Sequence, residues 1–231
     1  MSKPYAIRTA LEDILEGLVE GDAFPPERAL ALQFGVARET VRQALHELLV
    51  EGRIERRGRG TVVSKPKLVQ PLSLRSYTEG AEVMGRKPGR LLITWEDVAA
   101  TNELAAALDV SAGEPVMHLE RVLLADGQPI GLESTYLPRH RFGRFTETFD
   151  PTTSLYAAIR ATGVEFGSAV ERVETVLASP REAGLLESTT AMPMLRLHRR
   201  SLDTADRPIE VVRSLYRGDR VAFEALLDDR N

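Results

Sequence analysis

Two sets of side chains in this 231-residue chain have types and spacings suited to chemistry. The first is Arg38, Glu39, Thr40, Arg42 and Gln43, crowded into a turn and a half of helical sequence on the side away from Val41, Ala44 and Leu45. Arginine can donate two parallel hydrogen bonds to guanine O6 and N7 or pair with phosphate, and threonine and glutamine add shorter polar contacts. An exposed helix face has the same composition, so these residues alone leave both readings open. The second set lies on stretches that alternate like β-strands. Arg121 shares a side with Met117, Leu119 and Leu123, and Glu210 aligns with Val212, Ser214 and Tyr216. An arginine on an apolar side needs an anion beside it, either an internal carboxylate such as Glu133 or a bound ligand.

Other chemistries are excluded or unsupported. With no cysteine, the chain has no disulfide, thiolate metal site or cysteine nucleophile. The four histidines (His46, His118, His140, His198) are scattered without metal-ligand spacing, so no metal and no cofactor are expected. Neither a nucleophile elbow nor a phosphate-binding glycine loop with lysine occurs. Glu133 and Glu210 suit hydroxyl groups of a ligand better than a hydrolytic pair, so no catalytic activity is expected; a sugar-phosphate-binding enzyme is the alternative. The longest runs without charge are nine residues, Ala29–Ala37 and Pro151–Ile159, far short of the ~20 that span a bilayer. Glu12 and Asp13 interrupt the region where a signal peptide would be apolar, so a cytoplasmic location is expected.

The net charge of −4 is unevenly distributed. Residues 1–67 carry 11 basic and 10 acidic side chains, whereas residues 68–231 carry 19 and 24. Arg53, Arg56, Arg57, Arg59, Lys65 and Lys67 cluster with a single acid, Glu55. A solvated charge cluster and a nucleic-acid contact both fit such a run.

The elements that carry the first set can be placed. Apolar residues at Ile7, Leu11, Ile14, Leu15 and Leu18 predict a helix over residues 6–19, stopped by Gly21 and Asp22. Pro25 and Pro26 precede a second helix, Glu27 to Phe34, and Gly35 ends it. A third starts three residues later and closes at Gly52. Two helices joined by a short glycine-containing turn have helix-turn-helix geometry. Residues 53–63, basic and with two glycines, predict a two-stranded wing.

On these residues a resemblance becomes specific. Pro26-Glu-Arg-Ala-Leu-Ala31, Gly35-Val-Ala-Arg-Glu-Thr-Val-Arg-Gln-Ala-Leu45, Leu48-Leu-Val-Glu-Gly52 and Gly58-Arg-Gly-Thr-Val-Val63 resemble the winged helix-turn-helix of GntR-family transcription regulators. The resemblance implies DNA contacts by Arg28, Arg38, Arg42 and Gly58, with Thr40 beside them. Three departures stand out: Ala37 where the family has a serine N-cap, Pro26 in place of a common serine, and a wing one residue shorter before its glycine.

The rest of the chain predicts an α+β domain with an antiparallel sheet. Ser64, Pro66 and Pro71 suggest an exposed linker ending in a strand, giving boundaries of 1–65 for the first domain, 66–76 for the linker and 77–231 for the second. Leu91 to Trp95 reads as a short buried strand, and capped helices are expected at residues 101–108, 154–162 and 179–186. An internal echo predicts two hairpins: Pro115–Leu124 with Pro129–Tyr136, and Pro193–Leu202 with Pro208–Tyr216. Arg121 and Arg199 each lie six residues after the leading proline. One sheet with approximate two-fold symmetry and a cleft between the hairpins is expected.

This half resembles the UTRA (chorismate-lyase-like) sensor domain of the HutC subfamily. Pro66–Glu79, Thr153–Tyr156 and Glu210–Asp219 are especially similar to regulators of N-acetylglucosamine use. The resemblance implies a repressor, dimeric on a palindromic DNA operator, that answers to a small effector, a phosphorylated amino sugar. It assigns Ser76, Arg121, Ser154 and Tyr156 to the phosphate and Glu133, Glu210 and Tyr216 to the rest of the ligand. Where that group has Arg-x-Arg, this chain reads Arg121-Val122-Leu123, so half of the guanidinium clamp is absent from the strand. A weaker phosphate site, a singly charged effector and one of another shape all remain open.

Overall fold

The computed structural model describes residues 3–227. Two compact units emerge. One holds the chain up to Lys67 together with Gly218–Arg220, the other Leu68–Arg217 and the segment from Val221 onward.

In the first unit, α1 (Lys3–Glu16), α2 (Glu27–Phe34) and α3 (Arg38–Val50) enclose one apolar core. Helical spacing puts Ile7, Leu11 and Leu15 of α1 against Val41, Ala44, Leu45 and Leu48 of α3, with Leu30 of α2 fully buried. The first helix ends at Glu16, earlier than its apolar pattern predicts. Gly17 and Leu18 turn back onto the carbonyls of Ile14 and Leu15, and Val19, expected on the helix, is exposed. Gly35 ends α2 at φ 62°, its N–H shared between the carbonyls of Ala31 and Leu32. Strands β1 (Ile54–Arg57) and β2 (Gly60–Val63) form an antiparallel hairpin whose two-residue tip is Gly58 and Arg59.

The second unit begins within residues 66–76, where a linker and a first strand are expected. Leu68–Pro71 forms β3, whose Leu68 and Gln70 are buried. Its partner is β10 (Val221–Glu224), in parallel. The chain continues through α4 (Tyr77–Val83), β4 (Pro88–Ala99), α5 (Asn102–Leu108), β5 (Pro115–Ala125) and β6 (Gln128–Pro138). Single turns α6 (Arg139–Phe142) and α7 (Phe145–Thr148) precede α8 (Leu155–Ala161). Then come β7 (Phe166–Leu177), α9 (Pro180–Leu185), β8 (Pro193–Asp203) and β9 (Pro208–Arg217). Thr101, Ser154 and Ser179 cap α5, α8 and α9 as their sequences require.

Six strands make one antiparallel sheet in the order β4-β5-β6-β9-β8-β7. Both expected hairpins are present and meet at the β6–β9 pair, so the order reads alike from either edge. The strand expected at residues 91–95 is longer and less buried than its apolar residues suggest. It is the sheet edge β4, with Leu91 54% and Leu92 43% exposed.

One face of the sheet determines the site. At one end Leu123, Leu197 and Tyr216 pack against Leu68, Tyr77 and Ala81 from β3 and α4. At the other, Met117 and Leu119 pack against Phe142, Phe145, Leu155 and Ile159. The polar rows of the same face lie between these two cores. On the reverse face, α9 covers Val122, Leu132 and Leu215, and α5 covers Val116.

Candidate nucleic-acid interface and buried polar cavity

The first site is a surface. With Val41, Ala44, Leu45 and Leu48 committed to the core, the helical period leaves Arg38, Arg42, Gln43 and His46 of α3 exposed and Thr40 half-buried. Arg28 is exposed on α2, and Arg56, Arg57 and Arg59 on the wing. Glu27 holds two of these exposed arginines in place: its carboxylate accepts from Arg38 Nε at 3.1 Å and from Arg42 Nη2 at 3.3 Å. The bond from Arg42, reinforced by Arg38, keeps Glu27 below the usual carboxylate range. Arg42 also donates to Glu39 at 2.9 Å. At the wing tip Gly58 has φ 60°, which favours glycine, and a side chain there would meet nothing within 4 Å. The tip is therefore both tightly turned and open to a partner. Ala37 has the extended backbone of an N-cap but offers no side-chain hydrogen bond.

The second site is a cavity in the other unit, with about 640 Å³ of unfilled space, part of it open to solvent. About 60 Å³ of it is accessible to a water-sized group. Ser76, Arg121, Glu133, Ser154, Tyr156, Glu210 and Tyr216, all seven residues selected from the sequence, line it. The register explains why. Arg121 pairs with Glu133, Glu133 with Ser214, and Ser214 with Leu197, so these side chains rise from one face. The cleft thus sits on the face of the sheet, not between the two hairpins as expected.

Arg121 is 2% exposed. It donates to the Glu133 carboxylate and to the carbonyls of Pro151 (3.1 Å) and Thr153 (2.9 Å). The internal salt bridge and the cavity position are therefore both real, and Arg121 Nε is left buried without a partner. On the far side Tyr156 donates to Glu210 Oε1 at 2.5 Å and accepts from Arg199 at 2.9 Å. Ser201 also donates to Glu210 Oε1, at 2.9 Å, leaving Oε2 buried and unpaired. Burial pushes Glu210 up to about 7, against the pull of the Tyr156 and Arg199 partners. Burial, with Glu133 nearby, also raises Tyr216. Tyr216 fits only because residue 131 is glycine: a Cβ there would lie 2.7 Å from the tyrosine ring.

Ser76 and Ser154 act as N-caps, accepting from the backbone N–H of Glu79 and Ala157. The Ser76 hydroxyl also bonds the Glu79 carboxylate, whereas accepting leaves the Ser154 hydroxyl proton available to a ligand. Sequence reasoning missed five ionisable residues of the lining: Arg75, Tyr77, Arg90, Glu171 and Arg199. Arg199, paired with Glu171 at 2.8 Å, was signalled by its echo of Arg121. Arg90 and Glu171 depend on strand register, which local spacing does not disclose. Among the described residues no group of acidic or histidine side chains has metal-site geometry, and no helix is long and apolar enough to cross a membrane.

Comparison with known proteins identifies both domains. Residues 7–63 match the model of bacterial regulatory proteins of the gntR family, and residues 83–222 match the UTRA domain. The chain is 50% identical over 229 residues to the HTH-type transcriptional repressor PhnF of Mycolicibacterium smegmatis, covering 99% of this chain and 94% of that protein. It is 37% identical to the HTH-type transcriptional repressor NagR of Bacillus subtilis, covering 88% and 85% respectively. The crystal structure of PhnF superposes with a TM-score of 0.73, over 97% of this chain and all of that one. With an exposed arginine-bearing helix in a winged fold, a sheet-borne polar cavity and this degree of identity, the chain belongs to the GntR family of transcription regulators and carries the winged helix-turn-helix and UTRA domains of the HutC type.

Proposed function

We propose that this chain is a cytoplasmic transcriptional repressor that binds a palindromic operator as a homodimer and changes its operator affinity when a small anionic metabolite enters the cavity. The observation carrying the reading is the separation of two sites of opposite character. One unit presents arginines outward, and the other draws charged side chains inward around unpaired polar atoms. Arg28, Arg38, Thr40, Arg42 and Gly58 supply DNA contacts. A two-fold protein reads two-fold half-sites.

A phosphorylated amino sugar is the effector that best fits the lining. Arg121 and Ser154 offer donors to a phosphoryl group, while Glu133, Glu210, Tyr156 and Tyr216 offer acceptors and hydroxyls to an amino or hydroxyl-bearing body. The names of two relatives, both transcriptional repressors, support negative control. The test is fluorescence anisotropy of the purified chain on fragments of its own genome, with and without glucosamine 6-phosphate. A preferred fragment released by the sugar is the expected result; no preference over random duplexes refutes it.

One feature favours a second reading, a sugar-phosphate-binding enzyme. Glu210, near neutrality beside Tyr156, has the properties of a general acid. Turnover separates the two, because a regulator returns its ligand unchanged.

A further inference from the structure

The two arginines at the β4–β5 pair differ in one respect. Arg121 has a carboxylate, Glu133; Arg90, on the same cavity wall, has none within ion-pair distance among the described residues. Its contacts are to neutral groups: Nη2 donates to the Thr78 hydroxyl at 2.6 Å, and the guanidinium lies 5.6 Å from the centre of the Tyr77 ring. Its Nε, like that of Arg121, is buried and unpartnered. A neutral ligand could satisfy those N–H groups but not the surplus charge.

Register supplies the geometry. Arg90 stands directly opposite Leu123, and Leu92 opposite Arg121, in an unbroken antiparallel stretch. Residues directly opposite one another project from the same face, so Arg90 and Arg121 are diagonal neighbours over the cavity. Burial, followed by the like charge of Arg121, draws Arg90 below the ordinary arginine value, against the opposing pull of Glu133. The guanidinium missing at position 123 is thus present one strand away. Two guanidiniums from different strands and the Ser154 hydroxyl share one lining, more donors than the two oxygens of a planar carboxylate can use. They suit a tetrahedral oxyanion.

We infer that Arg90 is the second half of the anion clamp: with Arg121 it grips a phosphate-type tetrahedral oxyanion, free or as a monoester. The inference rests on the cavity being the effector site proposed above, and it adds a specificity-determining residue.

The experiment titrates inorganic phosphate and glucosamine 6-phosphate into the full chain, as wild type, Arg90→Gln and Arg90→Lys, following melting temperature. Anisotropy on the preferred DNA fragment is measured in parallel. Arg90→Gln should weaken anion binding by roughly tenfold to a hundredfold, the range for losing a charge-assisted contact. Arg90→Lys should recover part of the loss. Equal affinity for both probes identifies the free anion as the ligand, and tighter binding of the sugar phosphate identifies the monoester; either outcome supports the clamp. Wild-type affinity in an Arg90→Gln chain that still binds DNA, or no wild-type response to either anion at millimolar concentration, overturns it. Failure of the wild type to prefer any DNA fragment instead defeats the regulator reading and leaves the anion result to stand on its own.

Discussion

At the scale of single residues, a side chain proposed for recognition also holds structure, and substitutions must be chosen to separate the two. Arg42 is exposed and, among the described residues, is held by Glu27 and Glu39 alone, so Arg42→Ala should leave the fold intact. It should reduce affinity for the preferred DNA fragment about tenfold or more in anisotropy. Arg121 is the opposite case. Removing it strands the Glu133 carboxylate and two carbonyls, so Arg121→Ala should cost about 3–5 kcal/mol of stability, read by denaturant unfolding. Loss of effector response in that variant therefore says little about binding, which is why the test above uses Arg90. Glu210 predicts a pH dependence. Its folded value of about 7 lies above its ordinary 4.5, so the native state holds a proton that the unfolded chain releases. This contribution is complete below about pH 4.5 and declines as pH rises to about 7. Glu210→Gln, whose amide can still accept from Tyr156 and Ser201, should flatten that descent; an unchanged slope in pH-dependent melting would show that another group causes it.

At the scale of elements, legibility followed the range of the interactions that define each one. Caps, proline starts and glycine stops act within one turn, and α2, α3, α5, α8 and α9 lie close to where Pro26, Gly35, Thr101, Ser154 and Ser179 place them. The hairpins were visible because repetition of a whole strand–turn–strand unit is a signal that single strands lack. Strands β4 and β7 were harder. They are the sheet edges, and edge strands are only partly covered, so the apolar pattern of β4 overstated its burial and the charged pattern of β7 gave no strand signal. One local defect gives a further prediction. The backbone at Ala37 already has N-cap geometry without a capping oxygen, so Ala37→Ser should stabilise the first unit by ~1 kcal/mol. In a scan of the intact chain the unfolding step of that unit should move up by several degrees; no shift would mean that solvent already satisfies those N–H groups.

For the molecule as a whole, regulation is a coupling free energy between two sites. If effector lowers operator affinity by some factor, operator DNA must lower effector affinity by the same factor. Titrating glucosamine 6-phosphate with and without the preferred fragment checks this, and unequal factors would mean the two ligands do not compete through one equilibrium. Binding stoichiometry should saturate at two chains per palindromic fragment; one chain per fragment rules out the dimeric reading. The sequence alone determined the winged helix-turn-helix, the paired hairpins and the residue types facing each strand side, because caps, turns and periodicity are short-range and repeat with the backbone's own geometry. Tertiary structure decided which strands became neighbours, and with that the composition of the site. Strand pairing brings Arg90 diagonal to Arg121 and Glu171 beside Arg199 across sequence separations that no local pattern encodes. Only the closed face of the sheet, shut off at both ends by apolar packing, turns those charges into a cavity.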